Sequence, residues 1–477
     1  MSFDPIVFDA ISQGNAGRRE PQIGDIFLTP KPDPLRDVRL DGSTYLRSEW
    51  PLIEDKFAPP MPVLTGLTPV GNMASVGNVS SNERNYGRLF YCKKSNVLHV
   101  IHGYYTTAEP RRSMDGGLTW ALAGMSGMND IPAAHNSLID GLYNEDTFIV
   151  ARQSSSGAGF SLDRSTDHGS TWSNVLTGTY AQNDSQQQGN MYDGRNQRGS
   201  LSYIDGAWYF ITQPVNTANA FRLYKSVDDG LNWTLTTFSM NVPAYLHLQM
   251  FKSKGRLVFT GRTRNAVYNL YVHTTNLDLT GFTYRSSMNV GITDSYFRHK
   301  ILQIGEDLTF ATGTNVGGQE LYAYSLLTSN WTWRSSSVSN NMSSYSVRMV
   351  PLGPFDAMSF TSGNESGTTN SFVQYYRDTL IHSTPNLDNG YADIRGGNNS
   401  ALTGLPQSAS IGVASADAIG DGNGLVILKL DNIIYKAQAT YLDTFQTGVI
   451  NPGSAVGVQE PSSSNSNGFT GVMRGRV

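Results

Sequence analysis

Ser113-Met114-Asp115-Gly116-Gly117-Leu118-Thr119-Trp120, Ser165-Thr166-Asp167-His168-Gly169-Ser170-Thr171-Trp172 and Ser226-Val227-Asp228-Asp229-Gly230-Leu231-Asn232-Trp233 are three copies of one eight-residue pattern. Each places Ser, Asp, Gly, a Thr or Asn, and Trp at the same positions. The physical logic is local. A carboxylate accepts backbone N–H bonds inside the turn, Gly takes a dihedral that other residues resist, and Trp anchors the hairpin between neighbouring sheets. The tryptophans lie 52 and 61 residues apart, a little above the length of a four-stranded repeating unit. A sandwich or a β-helix gives no reason for a turn signature to return at so long a period.

Working outward, decayed copies that keep an aromatic fall near the expected places, at 275–282, 325–331 and 385–391. Upstream of the turns lies a second unit, two short alternating strands around a tight polar turn, at 89–101, 137–152, 199–213, 246–262, 300–312 and 345–362. These make six units. A seventh is read from 411–439, where Leu425–Leu430 and 433–435 flank Asp431-Asn432. A ring must also close, and the stretch near 61–73 is expected to supply the closing strand, because open sheet edges invite aggregation. The eight-residue pattern is the Asp box. The chain therefore resembles the Asp-box β-propellers, and the expected fold is all-β, with six or seven blades and seven preferred. The expected division is an N-terminal segment at 1–60, a propeller at 61–445 and a C-terminal tail at 446–477.

Composition agrees with a β protein. The 477 residues are 39% hydrophobic and 16% charged, rich in Gly, Tyr and Phe, which favours strands over helical bundles. A formal net charge of -4 leaves no basic footprint for nucleic acid or anionic membranes. Cys92 is the single cysteine, so an internal disulfide and a thiolate cage are excluded, and it reads as a buried thiol in the run 89–92. The opening MSFDPIVFDA lacks a charged segment followed by a long apolar one, so synthesis without export is expected.

The N-terminal segment differs from the rest. Gly24-Asp25-Ile26 leads to Arg39-Leu40-Asp41-Gly42-Ser43-Thr44-Tyr45-Leu46-Arg47-Ser48-Glu49-Trp50-Pro51-Leu52. This resembles the bacteriophage tail-collar pattern, in which a G-D-I strand precedes D-G-x-x-Y-x-R-x-x-Y-P-x-L, with Trp50 in place of the usual Tyr. The resemblance spans about 35 residues and rests on Gly24, Asp41, Gly42, Tyr45, Arg47 and Pro51. It implies a virion protein, made in the host cytoplasm, that joins other tail proteins through this segment, usually as a homo-oligomer. The stretch 451–477, rich in Gly, Ser and Asn, is expected to be flexible unless docked.

Asp-box propellers include sialidases, whose site needs an Arg cluster for a carboxylate, a Tyr nucleophile helped by Glu, and an acidic proton shuttle. The family's Phe-Arg-Ile-Pro-type signature does not precede Ser113. Its nearest match, Phe221-Arg222-Leu223-Tyr224, runs into the third box and lacks the Pro. No carboxylate pair stands out for glycoside hydrolysis. Recognition is expected instead on the face opposite the boxes, from loops after second strands and between blades. Candidate binding residues there are Arg152, Gln153, Tyr192, Asp193, Arg195, Gln213, Arg262 and Arg264, with His102 and Arg298 nearby. Flat Arg forks among aromatics suit sugars or a protein surface. No catalytic residue, metal or cofactor is expected. The leading reading is a non-enzymatic tail-fibre or tail-tip protein that binds a host glycan or protein receptor, or another virion protein. A glycan hydrolase and a purely architectural tail ring are the alternatives.

Overall fold

The computed structural model describes residues 26–29, 37–39, 44–50, 62–76, 87–102, 110–123, 138–153, 159–179, 199–212, 220–239, 245–253, 255–263, 269–289, 298–304, 307–314, 318–325, 331–337, 346–351, 356–362, 372–377, 393–395, 416–430, 432–441, 444–446 and 470–474. Among the described residues every regular element is a strand, apart from two single 3-10 turns, Arg47–Glu49 and Met73–Val76. Among the described residues seven four-stranded antiparallel sheets fall within 87–122, 138–179, 199–239, 245–289, 298–337, 346–395, and 416–441 completed by Pro62–Asn72. We number them blades 1 to 7. Their first strands touch in a ring: Gly87–Cys92 meets Leu138–Asn144, and contact passes through Gly199–Ile204, Tyr245–Ser253, Arg298–Ile304 and Ser346–Pro351 to Ala416–Gly420. That last strand touches Gly87–Cys92 again. The fold is a β-propeller.

A strand sandwiched between two neighbouring blades buries both faces and reads as a continuous apolar run. Ala207–Thr212, AWYFIT, is buried at all six positions. The closing strand Pro62–Asn72 pairs antiparallel with Ile433–Tyr441 along most of its length, which satisfies an edge that would otherwise be open.

The Asp boxes sit between third and fourth strands and act as rivets between blades. Trp120 packs with Met73, Leu89, Leu98, Ile427 and Ile434, between blades 7 and 1. Trp172 packs with Phe90, Ile101, Phe148 and Val150, between blades 1 and 2. Trp233 lies against Ile149, Phe160 and Trp208, between blades 2 and 3. In blade 4 the decayed box keeps the left-handed residue and the aromatic but not the Asp bonds: Leu279 has φ of 67° at the Gly place, Phe282 stands against Phe238 and Phe259, and Asp278 accepts the Thr280 N–H only two residues on, at 2.9 Å. Of the other decayed copies, the turn at 326–330 and the whole of 385–391 lie outside the described residues.

The chain ends meet. Thr470–Arg474 lies between Ile26–Thr29 and Asp37–Arg39 as the central strand of a three-stranded sheet, and Thr44–Leu46 pairs with Thr444–Gln446. The tail read from composition as flexible thus contributes a strand, docked on the chain's own N-terminal segment, and the two end segments share backbone hydrogen bonds.

Candidate functional site

The box turn is held by bonds inside its own eight residues. Asp115 Oδ1 accepts the Thr119 N–H at 2.9 Å and the Ser113 hydroxyl at 2.7 Å, while Oδ2 accepts the Thr119 hydroxyl at 2.6 Å. Ser113 Oγ in turn accepts the Gly117 N–H at 2.7 Å. The second box repeats these bonds. In the third, Asn232 substitutes its amide: Nδ2 donates to Asp228 Oδ2 at 2.6 Å where a Thr would use its hydroxyl. Burial raises the Asp115 carboxyl, but the Thr119 side chain and backbone and Ser113 outweigh it and bring it down to about 2. Hydrogen bonds from Asn232 and Ser226 bring Asp228 to about 2 as well.

The second and third boxes are also clasped by the preceding blade. Arg112, just before the first box, donates to the His168 carbonyl of the second at 2.7 Å and to Ser170 Oγ at 2.6 Å. Arg164, just before the second box, donates to the Asp229 carbonyl of the third at 2.7 Å and to its carboxylate at 2.5 Å. His168 and Asp229 occupy the same box position, with φ of 55° and 57°, so a left-handed residue turns its carbonyl toward the neighbouring blade. The sequence carried this signal, an Arg directly before the box Ser in two copies, and its meaning became legible only with the blades in register.

The candidate binding residues fare differently. Arg152 is not a rim ligand. It is 4% exposed and forms a two-pronged ion pair with the fully buried Asp163, Nε and Nη2 reaching Oδ2 at 2.9 and 2.7 Å. Strand pairing explains the correction: Arg152 faces Ser161, two residues from Asp163, so its guanidinium reaches the carboxylate within its own sheet. Gln153 ends the same strand, Arg262 lies on Arg256–Thr263, Arg298 opens Arg298–Ile304 and His102 ends Val97–His102. Tyr192, Asp193, Arg195, Gln213 and Arg264 lie outside the described residues, as do Gly24, Asp41, Gly42 and Pro51 of the collar-like motif. Tyr45 and Arg47 are placed, on Thr44–Leu46 and Arg47–Glu49.

Among the described residues two recesses lie on the box face, while most of the loops of the opposite face lie outside the described residues. Between blades 2 and 3 a recess of about 560 Å³ is lined by Asn144, Asp146, Thr147, Thr166, Tyr203 and Asp229. A second of about 600 Å³ shares Asn144 and Tyr203 and continues over Leu142, Ile204, Phe251 and Lys252. The carboxylates are engaged: Asp229 accepts Thr147 Oγ1 at 2.7 Å and the Trp208 indole at 3.2 Å, and Lys252 spans to Asp205 at 2.6 Å. The sequence reading passed over these residues because the first-hairpin turns 144–147 and 204–207 look like ordinary polar turns.

Beside the first recess, at the junction of blades 1 and 2, the fold gathers polar groups in a buried place. Cys92 is fully buried and points its thiol at the Glu145 carbonyl, 2.8 Å away, and toward Asp146. Lys94 and Ser95 both bond to Asp146 and hold its carboxyl below the ordinary range. Burial, with the Arg112 charge, drives His99 down to about 3 and keeps it neutral. Burial pushes the Tyr143 hydroxyl up.

No family model and no curated protein sequence matches the chain. Among solved structures it is similar to the α-L-arabinofuranosidase of Fusarium graminearum in complex with arabinobiose, at 12% identity over 63% of this chain and 93% of that one, TM-score 0.41. It is also similar to YCF48 bound to D1 peptide, at 10% identity over 83% and 97%, TM-score 0.40. A third is an α-L-arabinanase of Penicillium chrysogenum complexed with arabinobiose, at 14% identity over 66% and 96%, TM-score 0.36. At these values the similarities assign neither substrate nor chemistry to this chain.

Proposed function

We propose that the chain is a non-enzymatic bacteriophage virion protein, a tail-fibre or tail-tip component. Its N-terminal segment attaches it to other tail proteins, and its propeller meets a host surface glycan or protein, or a neighbouring virion protein. The observation that carries the reading is the collar-like motif, whose two aromatics have a structural role. Tyr45 and Trp50 stand edge to face with ring centres 6.1 Å apart, Trp50 is 4% exposed, and the Tyr45 strand is paired to Thr444–Gln446. A larger Trp therefore serves where the pattern has Tyr, because the site asks for a buried ring.

The electrostatics favour binding over hydrolysis. A glycosidase acid is kept protonated by a raised carboxyl value. Among the described residues every displaced carboxyl is displaced downward: Asp115, Asp146, Asp167, Asp228, Asp229, Asp278 and Asp421. Such groups stay ionised and serve as acceptors within turns. The test is to add purified full-length protein to host cells and measure binding and competition with phage adsorption, while assaying release of reducing sugar from host surface polysaccharide. Binding with competition and no sugar release is the expected result. Sugar release would replace the proposal with a hydrolase, and a folded sample that does neither would leave an architectural ring.

A further inference from the structure

Three side chains from separate turns converge on the box face where blades 1 and 2 meet. Cys92 ends the first strand of blade 1, Asp146 sits in the first hairpin turn of blade 2, and His168 belongs to the second Asp box. The Cys92 sulfur, one Asp146 oxygen and one His168 ring nitrogen lie within 4.8 Å of one another. Asp146 Oδ1 is 3.9 Å from Cys92 Sγ and 3.8 Å from His168 Nε2. We propose that these residues form a binding site for a zinc-class divalent cation, held by the Cys92 thiolate, His168 Nε2 and an Asp146 oxygen, with a fourth position for water from the adjoining recess.

The donor set selects the ion. A thiolate and an imidazole favour zinc and its neighbours over magnesium or calcium, which take oxygen ligands. Metal–ligand bonds of about 2.0–2.3 Å in tetrahedral array put ligand atoms about 3.3–3.6 Å apart. The two separations from Asp146 Oδ1, 3.9 and 3.8 Å, close to that by a few tenths of an ångström, and the Cys92–His168 pair, within 4.8 Å, by up to about 1.3 Å, within reach of side-chain rotation. The surroundings supply a second, independent sign. Around the convergence the Tyr143 hydroxyl, His168 Nδ1 and the indole N–H of Trp172, itself 5% exposed, have no hydrogen-bond partner. Unsatisfied buried polar atoms are each costly, and a metal-bound water is a partner that such a cluster lacks.

Two displacements accompany binding. The Cys92 thiol loses its proton to solvent as the sulfur–metal bond forms, one proton for each ion, and the Glu145 carbonyl loses that donor. Lys94, 57% exposed and 2.7 Å from Asp146 Oδ2, swings into solvent because it competes for the same carboxylate. The ion then ties blade 1 to both turns of blade 2.

The experiment is a titration of the full-length protein, freed of metal with a chelator, with cobalt(II) under reducing conditions, followed by absorption and then by displacement with zinc. The expected result is uptake that saturates at one equivalent, with a thiolate-to-cobalt band in the near ultraviolet and tetrahedral bands in the visible, all abolished by zinc. Since Cys92 is the only cysteine, that band identifies it without any variant. Cys92→Ser and His168→Asn should each lose the spectrum while keeping the circular dichroism of the parent; Asn tolerates the left-handed backbone at 168. Lys94→Ala should bind cobalt several-fold more tightly. Failure of folded wild-type protein to take up cobalt, uptake without the thiolate band, or weaker binding by Lys94→Ala would each overturn the assignment.

Discussion

Replacing Arg152 with methionine separates a structural guanidinium from a ligand-binding one. The Asp163 carboxylate, fully buried, would lose the guanidinium while keeping the Asn174 amide at 3.1 Å and Ser161 Oγ at 3.4 Å. Removing one partner of a buried pair costs about 3–5 kcal/mol, because the remaining charge is left without compensation. The amide and hydroxyl soften that, so the expected loss is near the lower end, about 3 kcal/mol. Against a domain stability of about 5–15 kcal/mol, this is a large fraction, readable as a lowered urea midpoint. The double variant Arg152→Met with Asp163→Leu removes both charges and should recover most of the loss, since apolar replacements of buried pairs are close to neutral. Host-cell binding by whatever fraction stays folded should be unchanged in both. A single variant that loses less than about 1 kcal/mol yet abolishes cell binding would refute the buried pair and restore Arg152 to the binding surface.

The third box predicts a silent change: Asn232→Thr should alter stability by less than about 0.5 kcal/mol, measured by urea unfolding, because Asn232 already makes the two bonds that Thr119 makes to Asp115. Gly230→Ala should cost at least about 2 kcal/mol in the same assay; φ is +82° and an added Cβ would stand 2.4 Å from Ile149 Cδ1. Acid should act through His273, which burial lowers from 6.5 to about 4. The unfolded chain binds the extra proton between those values, so the contribution is whole above pH 6.5 and is lost as pH falls toward 4, about 3 kcal/mol in all. Urea midpoints from pH 7 to 4 should therefore fall less steeply in His273→Phe than in the parent. His99, lowered from 6.5 to about 3, acts across this range in both proteins, and Asp115 and Asp228, lowered from 3.8 to about 2, act below it. Equal slopes would show that His273 is solvated.

Much of this molecule could be read from the chain itself where the physics is local. The boxes were legible because Ser, Asp, Gly, Thr and Trp satisfy one another within eight residues, as the bonds of Asp115, Asp167 and Asp228 record. Even the decayed copy in blade 4 announced itself through spacing and Phe282, and the closing strand through the need to cover an edge. The site was less legible. Arg152 looked like a rim group because its register opposite Ser161, beside Asp163, is set by sheet pairing. The C-terminal strand looked flexible because its hydrogen bonds come from Ile26–Thr29 and Asp37–Arg39, at the far end of the sequence.

By itself, the sequence determined the repeating turn, its chemistry and hence an all-β ring of sheets, since hydrogen bonds between residues two and four apart need no distant partner. Only the tertiary structure decided which turns stand side by side. Arg112 finds the next box, Arg164 the one after, and Cys92, Asp146 and His168 come together from separate turns. Spacing along the chain carries no trace of such meetings, because blades 7, 1, 2 and 3 are fitted to one another by the packing of Trp120, Trp172 and Trp233 between sheets.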